Sequence, residues 1–460
     1  MPYILKKYYP WRNILFILSE GALIFAIINL VFFSWAGAEG YRELFSLYLF
    51  RSIVVTFVFQ MSFYYFDLYD YTIIPMFSDH MLKVLQTFGF GCIVLAFIYY
   101  MFPWLTISSR VFWSGLFAVG AVILSWRFTY FRLLEHRIFD VPVALVGTGR
   151  FAGQIASAIE DKKDSGHRVV AYVGDKDSPS VRTGLPVYKD VGELRNLCEN
   201  RDVEKIVLAL DERRGGMPMG ELIDYKFMGI EILDAVGFYE KLTGKIMVER
   251  VNPSWMLFSE GFYVGRMTRT LKRLIDISAA CGMFVVSFPV FVLTALAIGA
   301  ESRGGVFYRQ ERVGENGRVF NMIKFRSMYS DAEKDGPVWA SDGDSRVTRV
   351  GGLIRKTRID ELPQLINVIR GDMSFVGPRP ERPVFVSELA EKIPFYSIRH
   401  VVRPGITGWA QIYYPYGASE EDALRKLEYD LYYIKNLSIG MDLATIFQTV
   451  KVVLFQKGSR

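Results

Sequence analysis

The sequence predicts a membrane α plus α/β protein in three parts. Four N-terminal transmembrane helices are followed by a Rossmann-like parallel-sheet module. A mostly helical C-terminal domain then begins on a re-entrant membrane helix. Three observations carry this reading. Long apolar runs crowd residues 1–135. Short β-rich runs alternate with helical patterns over 136–251. After a linker at 252–268, the last part (269–460) opens on a charge-free apolar run flanked by basic residues on both sides.

Composition sets the outer bounds. The chain has 460 residues, more than one ordinary domain holds. It is 51% hydrophobic and 15% aromatic, with mean hydropathy +0.20, as a membrane protein would be. The net charge of +6 suits anionic lipid, a nucleotide or a phosphorylated lipid. No nucleic acid partner is expected, because no basic stripe stands apart from the apolar segments. Cys92, Cys198 and Cys281 are too scattered for a disulfide framework or a zinc cluster. No cleavable signal peptide is expected either, since the first apolar run is long and lacks a small-residue cleavage site.

In the first part, apolar runs cover about 14–35, 44–66, 84–103 and 111–126. Each approaches the roughly 20 residues of a spanning helix. Lys6, Lys7 and Arg12 precede the first run, and Arg127, Arg132 and Arg137 follow the fourth. Basic residues at both ends of an even number of spans place both ends in the cytoplasm. Glu20 lies inside the first run, where helix–helix packing is its favoured role over a functional charge.

The second part opens with a buried-strand pattern at 141–146, which leads into Gly147-Thr-Gly149-Arg-Phe-Ala-Gly153 and a helix through Ile159. Further strands are expected at 169–173, 205–210 and 230–233. This alternation predicts a doubly wound parallel sheet. Gly147, Gly149 and Gly153 form a variant of the dinucleotide fingerprint, and Asp175 comes later than its acidic residue. The stretch therefore reads as a ligand-binding or structural module without hydride chemistry.

The third part starts with a puzzle. The run 277–300 is long enough to span, yet Arg266, Arg269, Lys272 and Arg273 precede it and Arg303, Arg309 and Arg312 follow. Basic flanks on both sides contradict a single crossing. Ser287 and Pro289 lie near its centre, and proline removes a helical hydrogen bond. A helix kinked there, over about 272–300, that enters and leaves on one face resolves the conflict. In the segments that follow, Lys324 and Arg326 alternate with apolar residues and can meet phosphate or anionic headgroups. The stretch 339–349 reads as a loop, and its Asp342 and Asp344 lack the downstream Glu of a calcium site. A last amphipathic helix is expected to open at Asp442.

Residues 355–380 carry the chemistry. Leu362, Leu365, Ile366 and Ile369 recur at helical spacing, Pro363 fits a first turn, and Gly371 fits a C-terminal cap. A helix is expected from about Asp360 to Arg370, with Asp360 and Glu361 at its positive end. Carboxylates there stay ionised. An ionised Asp among arginines is a usable nucleophile toward phosphorus. Arg355, Arg358 and Arg379 can hold phosphate oxygens bidentately. Two adjacent carboxylates beside a diphosphate suit Mg²⁺.

Residues 263–460 resemble the catalytic unit of the monotopic polyprenyl-phosphate sugar-phosphate transferases of bacterial exopolysaccharide and O-antigen synthesis. The matching segments are FYRQERVG (307–314), KFRSM (324–328), RKTRIDELPQLINVIRGDMSFVGPRP (355–380) and RPGITGWAQ (403–411). The complete chain resembles the large members, with four spanning helices and a Rossmann-like module before the catalytic unit. The resemblance implies transfer of a sugar 1-phosphate from a UDP-sugar to polyprenyl phosphate, with release of UMP. It implies Asp360 as nucleophile, Glu361 as a Mg²⁺ ligand beside it, and Lys324, Arg355 and Arg379 as phosphate ligands. Arg403, Gln411 and Asp430 are further substrate-binding positions by the same likeness. Ser287 and Pro289 match the family's helix-breaking pair, although Phe288 separates them here. The implied setting is the bacterial cytoplasmic membrane, with a homodimer whose catalytic domain faces the cytoplasm. The sugar is not specified.

Two other classes make different demands. A nucleotide-sugar oxidoreductase needs a Tyr-x-x-x-Lys pair beyond the cofactor site. The matches, Tyr3/Lys7 and Tyr172/Lys176, lie elsewhere. A non-catalytic assembly scaffold would show a degraded dyad, and Asp360 and Glu361 are both present.

Overall fold

The computed structural model describes all residues except 1–2, 5–6, 9–10, 70–76, 136–139, 163–164, 177, 179, 182–183, 212–217, 252, 303, 330–345, 415–416, 418 and 455–460. Most of the 339–349 loop, with Asp342 and Asp344, thus lies outside the described residues, as do Arg137 and Arg303. The chain forms two compact units, essentially Tyr8–Phe238 and Tyr239–Arg460.

The first unit begins with α1 (Trp11–Glu43), α2 (Phe45–Tyr65), α3 (Phe77–Met101) and α4 (Ser109–Glu135). All four are long and apolar enough to cross a membrane. Ile24, Phe59, Val84, Leu95 and Ile123 fill the bundle, while Leu30, Leu85, Phe97 and Phe117 point outward. Helices apolar on both faces suit a lipid surrounding. Arg127, expected as a flanking charge, is instead buried inside the bundle. Its Nε and Nη2 donate to Glu20 at 2.6 and 2.9 Å, and its Nη1 donates to the Leu68 carbonyl at 2.8 Å. Two fully buried charges are tolerable only when paired in this way. Glu20 therefore joins α1 to α4.

The same unit continues as a five-stranded parallel sheet. Its strands are β1 (Val141–Val146), β2 (His167–Val173), β3 (Val187–Tyr188), β4 (Lys205–Leu208) and β5 (Glu231–Asp234), in the order β3-β2-β1-β4-β5. Helix α5 (Arg150–Asp161) returns the chain from β1 to β2, with α6 (Arg195–Glu199) and α7 (Met219–Phe227) on later crossovers. The two-residue β3 carried no legible sequence pattern. Gly147 has φ +127°, which only glycine adopts without strain.

The second unit opens on a strap. It runs from Tyr239 through the end of α8 (Ala235–Thr243) to α9 (Pro253–Phe258). Residues 239–251, placed by sequence with the sheet module, thus belong to this unit. Next comes α10 (Arg266–Glu301), the fifth helix long and apolar enough to cross a membrane. It stays helical through Ser287 and Pro289, so the proline removes one amide donor and does not end the helix. The antiparallel hairpin β6 (Phe307–Val313) and β7 (Val319–Phe325) follows, then α11 (Arg349–Lys356) and a 3₁₀ turn at Ile359–Glu361. Helix α12 (Gln364–Arg370) precedes β8 (Ser374–Val376), α13 (Pro383–Lys392), β9 (Gly405–Thr407), α14 (Trp409–Tyr413), α15 (Glu420–Lys435) and α16 (Ile439–Leu454). Strands β8 and β9 pair in parallel.

One face of α10 supplies the core on which the site rests. Ala280 packs with Met322, Leu365, Val368 and Met373, and Ile298 with Phe325 and Ile354. The opposite face, including Val285, Val286, Leu293 and Leu296, is exposed.

Candidate active site

The expected helix from Asp360 is in fact two pieces. Asp360 and Glu361 sit on the 3₁₀ turn, and α12 starts only at Gln364, with Pro363 as its N-cap. Arg358 causes the offset. Its left-handed φ of 60° separates α11 from the 3₁₀ turn that carries Asp360 and Glu361. Gly371 caps α12 with φ +98°, as expected.

The carboxylates of Asp360 and Glu361 have different surroundings. Glu361 Oε1 accepts from Lys324 Nζ at 3.2 Å and from Arg379 Nη2 at 3.1 Å, with Arg358 Nη1 at 3.9 Å. Burial alone would raise its pKa, but Lys324, Arg379 and Arg358 outweigh burial and hold the carboxyl well below the usual range. Asp360 is buried, and no hydrogen bond or ion pair reaches its carboxylate among the described residues. Burial, with Glu361 adjacent, pushes its pKa up against the pull of Lys324, Arg355 and Arg358. The expectation that both carboxylates behave alike at a helix start is corrected: Glu361 is neutralised by cations and Asp360 is left uncommitted. Burial likewise lowers Lys324, partly opposed by Glu361.

Each predicted residue has a definite place. Lys324, on β7, and Arg379, in the Gly377-Pro378-Arg379-Pro380 turn, converge on Glu361. Arg355, in the last turn of α11, is half-buried and acts on Asp360 by its charge. Arg326 is directed elsewhere: its Nη2 donates to the Ser302 carbonyl and Oγ, both at 2.8 Å, at the C-terminal end of α10. Arg403 pairs with Glu315 at 3.2 Å. Gln411 Nε2 donates to the Ile406 carbonyl at 3.3 Å, and its Oε1 is buried without a partner. Asp430 is buried against Arg399 at 2.9 Å and touches none of the dyad's cations directly.

Residues missed by sequence fix the site to α10. Lys272 Nζ donates to Asp442 at 2.6 Å and to the Val376 carbonyl at 3.1 Å. Arg273 Nη1 and Nη2 donate to the last carbonyls of α12, Val368 at 2.6 Å and Ile369 at 2.8 Å. The Phe375 amide donates to Asp276 at 3.2 Å. At the other end, the Val350 amide donates to Glu301 at 3.1 Å. Lys272 and Arg273 looked in the sequence like topology-setting charges. The only trace of their second role was their position one turn before Asp276 on the same helix.

The glycine loop of the sheet module was a candidate nucleotide site. A Cβ at Gly149 would overlap the Asp211 carboxylate, and one at Gly153 would press on Ser180. Ser178 donates to the Thr148 carbonyl above the same loop. The loop surface is thus covered by the chain's own side chains, one of them acidic. Gly149 and Gly153 sit in close contact with Asp211 and Ser180, contacts that leave no room for a side chain at either position.

Cations thus converge on one carboxylate beside a second that no cation pairs among the described residues, on a domain built against an apolar helix. Residues 267–456 match the bacterial sugar transferase family, and residues 64–217 match a family described as CoA-binding domain. An undecaprenyl-phosphate glucose phosphotransferase of Komagataeibacter xylinus is 32% identical over 390 residues, covering 82% of this chain and 72% of that protein. A UDP-N-acetylgalactosamine-undecaprenyl-phosphate N-acetylgalactosaminephosphotransferase of Aeromonas hydrophila is 44% identical over 223 residues. That match covers 48% of this chain and spans about half of the relative, 52%. A UDP-glucose:undecaprenyl-phosphate glucose-1-phosphate transferase of Caulobacter vibrioides is 42% identical over 187 residues, 40% of this chain and 69% of that protein. The chain belongs to the bacterial sugar transferase family, the polyprenyl-phosphate hexose-1-phosphate transferases, and is a membrane-bound enzyme of that class.

Proposed function

We propose that the protein transfers a sugar 1-phosphate from a UDP-sugar to undecaprenyl phosphate, with release of UMP, by way of a phosphosugar bound to Asp360. One observation carries this reading: Asp360 is buried and uncommitted beside Glu361, on which Lys324, Arg379 and Arg358 converge. The substrates are those in the relatives' names.

A carboxylate oxygen of Asp360 attacks the sugar-linked phosphorus. The bond from that phosphorus to the bridging oxygen breaks, and UMP leaves with the electron pair. An oxygen of undecaprenyl phosphate then attacks the same phosphorus and Asp360 departs, restoring the free carboxylate. Arg355 and Arg379 clamp the phosphate oxygens, where developing charge is best met by fixed cations. Burial that makes Asp360 more basic also makes its ionised form a stronger nucleophile.

Mg²⁺ fits this donor set. The cations take Oε1 of Glu361 and leave Oε2 and the Asp360 carboxylate to a hard cation, whose remaining ligands would be diphosphate and water. When bound, the ion would neutralise diphosphate charge and ease UMP departure.

The re-entrant path of α10 belongs to the same proposal. Its N-terminal end is bonded to β8, α12 and α16, and its C-terminal end to α11 and, through Ser302, to Arg326 just past β7. At about 1.5 Å per residue, a straight crossing would carry these ends to opposite bilayer surfaces. Attachment of both to one compact unit supports a helix that dips into a single leaflet from the cytoplasmic side. The site would then stand at headgroup height, where the lipid phosphate lies. The bacterial inner membrane as location and a homodimeric state are proposed on family likeness alone.

The test is UMP release in detergent with Mg²⁺ and undecaprenyl phosphate, from UDP-N-acetylgalactosamine, UDP-glucose and UDP-galactose. Lipid-dependent release from one donor is expected. A well-folded protein that releases UMP from none of them contradicts the proposal for that donor set.

A further inference from the structure

The turn that carries Arg379 is held in an unusual way. Pro378 and Pro380 have no N–H to donate; besides the Gly377 amide, which donates to the Thr407 carbonyl at 2.9 Å, the turn is held through its carbonyls. Four in succession are engaged. Pro378 O accepts from the Gly405 amide at 3.0 Å, Arg379 O from Arg399 Nη2 at 3.1 Å, Pro380 O from Arg312 Nη1 at 3.0 Å, and Glu381 O from the Val313 amide at 2.9 Å. Two of the four donors are guanidinium groups.

Arg399 is the more deeply placed of the two, at 6% exposure. Its Nη2 is shared between the Arg379 carbonyl and Asp430 Oδ2 at 2.9 Å, and its Nη1 donates to the Tyr396 hydroxyl at 2.6 Å. The Tyr396 ring lies 5.0 Å from its Cζ. Such a fork is specific to arginine, since an ammonium cannot hold these directions at once. A buried ion pair of this kind is a poor source of net stability, because desolvation offsets its attraction. Its geometric effect is what remains to be explained, and that effect falls on the backbone of Arg379, whose side chain reaches Glu361 at 3.1 Å.

We propose that Arg399 is a positioning residue that aims Arg379 at the dyad, with Asp430 as the counter-charge that keeps Arg399 in place. Asp430 is thereby assigned a role behind the site and not on the substrate. The assignment rests on the phosphoryl-transfer reading above. Burial raises Asp430 only to about 6, against the pull of Arg399, so the carboxylate is charged at neutral pH and able to serve.

The experiment is a double-mutant cycle on the full chain in detergent, with two readouts: kcat and KM for UMP release, and calorimetric binding of UDP alone. Arg399→Lys and the isosteric Asp430→Asn are each made in the wild type and in Arg379→Ala, with unfolding midpoints as the folding control. In the wild type each is expected to lower kcat on the order of 10²-fold, the scale of a misaimed catalytic group, and to weaken UDP binding. In the Arg379→Ala background either change should have an effect within about twofold, since nothing is left to aim. Equal losses in both backgrounds, or wild-type kcat and UDP affinity in Arg399→Lys, overturn the proposal. A wild type that binds UDP but transfers nothing would remove the transferase reading, while the UDP cycle still decides the positioning role.

Discussion

Asp360 and Glu361 are neighbours in sequence and opposites in setting. Glu361 is held by cations, and Asp360 is buried with an open carboxylate. Asp360→Asn, which keeps the shape and removes the nucleophile, is expected to lower UMP release by more than about 10⁴-fold. Glu361→Gln should leave a folded protein with weakened Mg²⁺ dependence, seen as a raised metal concentration at half-maximal rate. Asp430 adds a pH dependence. Its value of about 6 lies above the ordinary 3.8, so the carboxylate that holds Arg399 is lost as pH falls through about 6. Activity should fall there, and Asp430→Asn should remove that limb of the pH profile. Stability moves the other way: the folded state binds this proton more tightly, so the group's contribution is full below about 3.8 and lost as pH rises through about 6. Arg355, Arg379 and the dyad were legible in sequence because chemistry of that density is rare in one segment. Arg399 was not, because it lies in a plain 3₁₀ turn at Tyr396–His400 whose sequence gives no sign of its partners.

At the scale of elements, α10 is the foundation of the site. Its basic start was legible only as a topology signal, since the carbonyls that Arg273 caps lie 95 and 96 residues away. Removing a cation from the end of a packed helix costs about 1–2 kcal/mol. Arg273→Ala should therefore lower the denaturation midpoint, and an unchanged midpoint would show that the cap has no energetic role. The re-entrant path makes a separate prediction. In a background without Cys92, Cys198 and Cys281, single cysteines at Met267 and Gly305 should both react with an impermeant maleimide in inside-out vesicles only. Labelling of one from each side would establish a full crossing. The alternation of Lys324 and Arg326 with apolar residues suited a strand or a helix edge alike, and the pairing of β6 with β7 that carries Lys324 to Glu361 left no sequence signal.

At the scale of the whole molecule, the sequence described the three-part order and missed the strap. Residues 239–251 read as the end of an α/β module because they follow a strand–helix pattern. In the second unit, Glu240 pairs with Lys435 at 2.6 Å, Lys245 with Glu428 at 3.1 Å, and Trp409 Nε1 donates to the Gly244 carbonyl at 3.0 Å. Ile246 is fully buried there. Such long-range partners leave no local periodicity to read. Ile246→Ala in the full chain should destabilise the second unit by about 2–5 kcal/mol, the range for emptying a packed core site, measured by denaturant unfolding in detergent. At the glycine loop the spacing named the residues, and the Asp211 carboxylate packed against Gly149 is a long-range contact that spacing does not encode.

The central claim is that Asp360 carries the phosphosugar. The most direct measurement omits the lipid acceptor. Enzyme mixed with the active UDP-sugar and Mg²⁺ should release up to one UMP per protein in a burst. The peptide containing Asp360 should gain the mass of a sugar phosphate, and subsequent undecaprenyl phosphate should remove it. Asp360→Asn should show neither burst nor adduct. Turnover by Asp360→Asn, or UMP release that strictly requires the lipid and leaves Asp360 unmodified, would contradict the account.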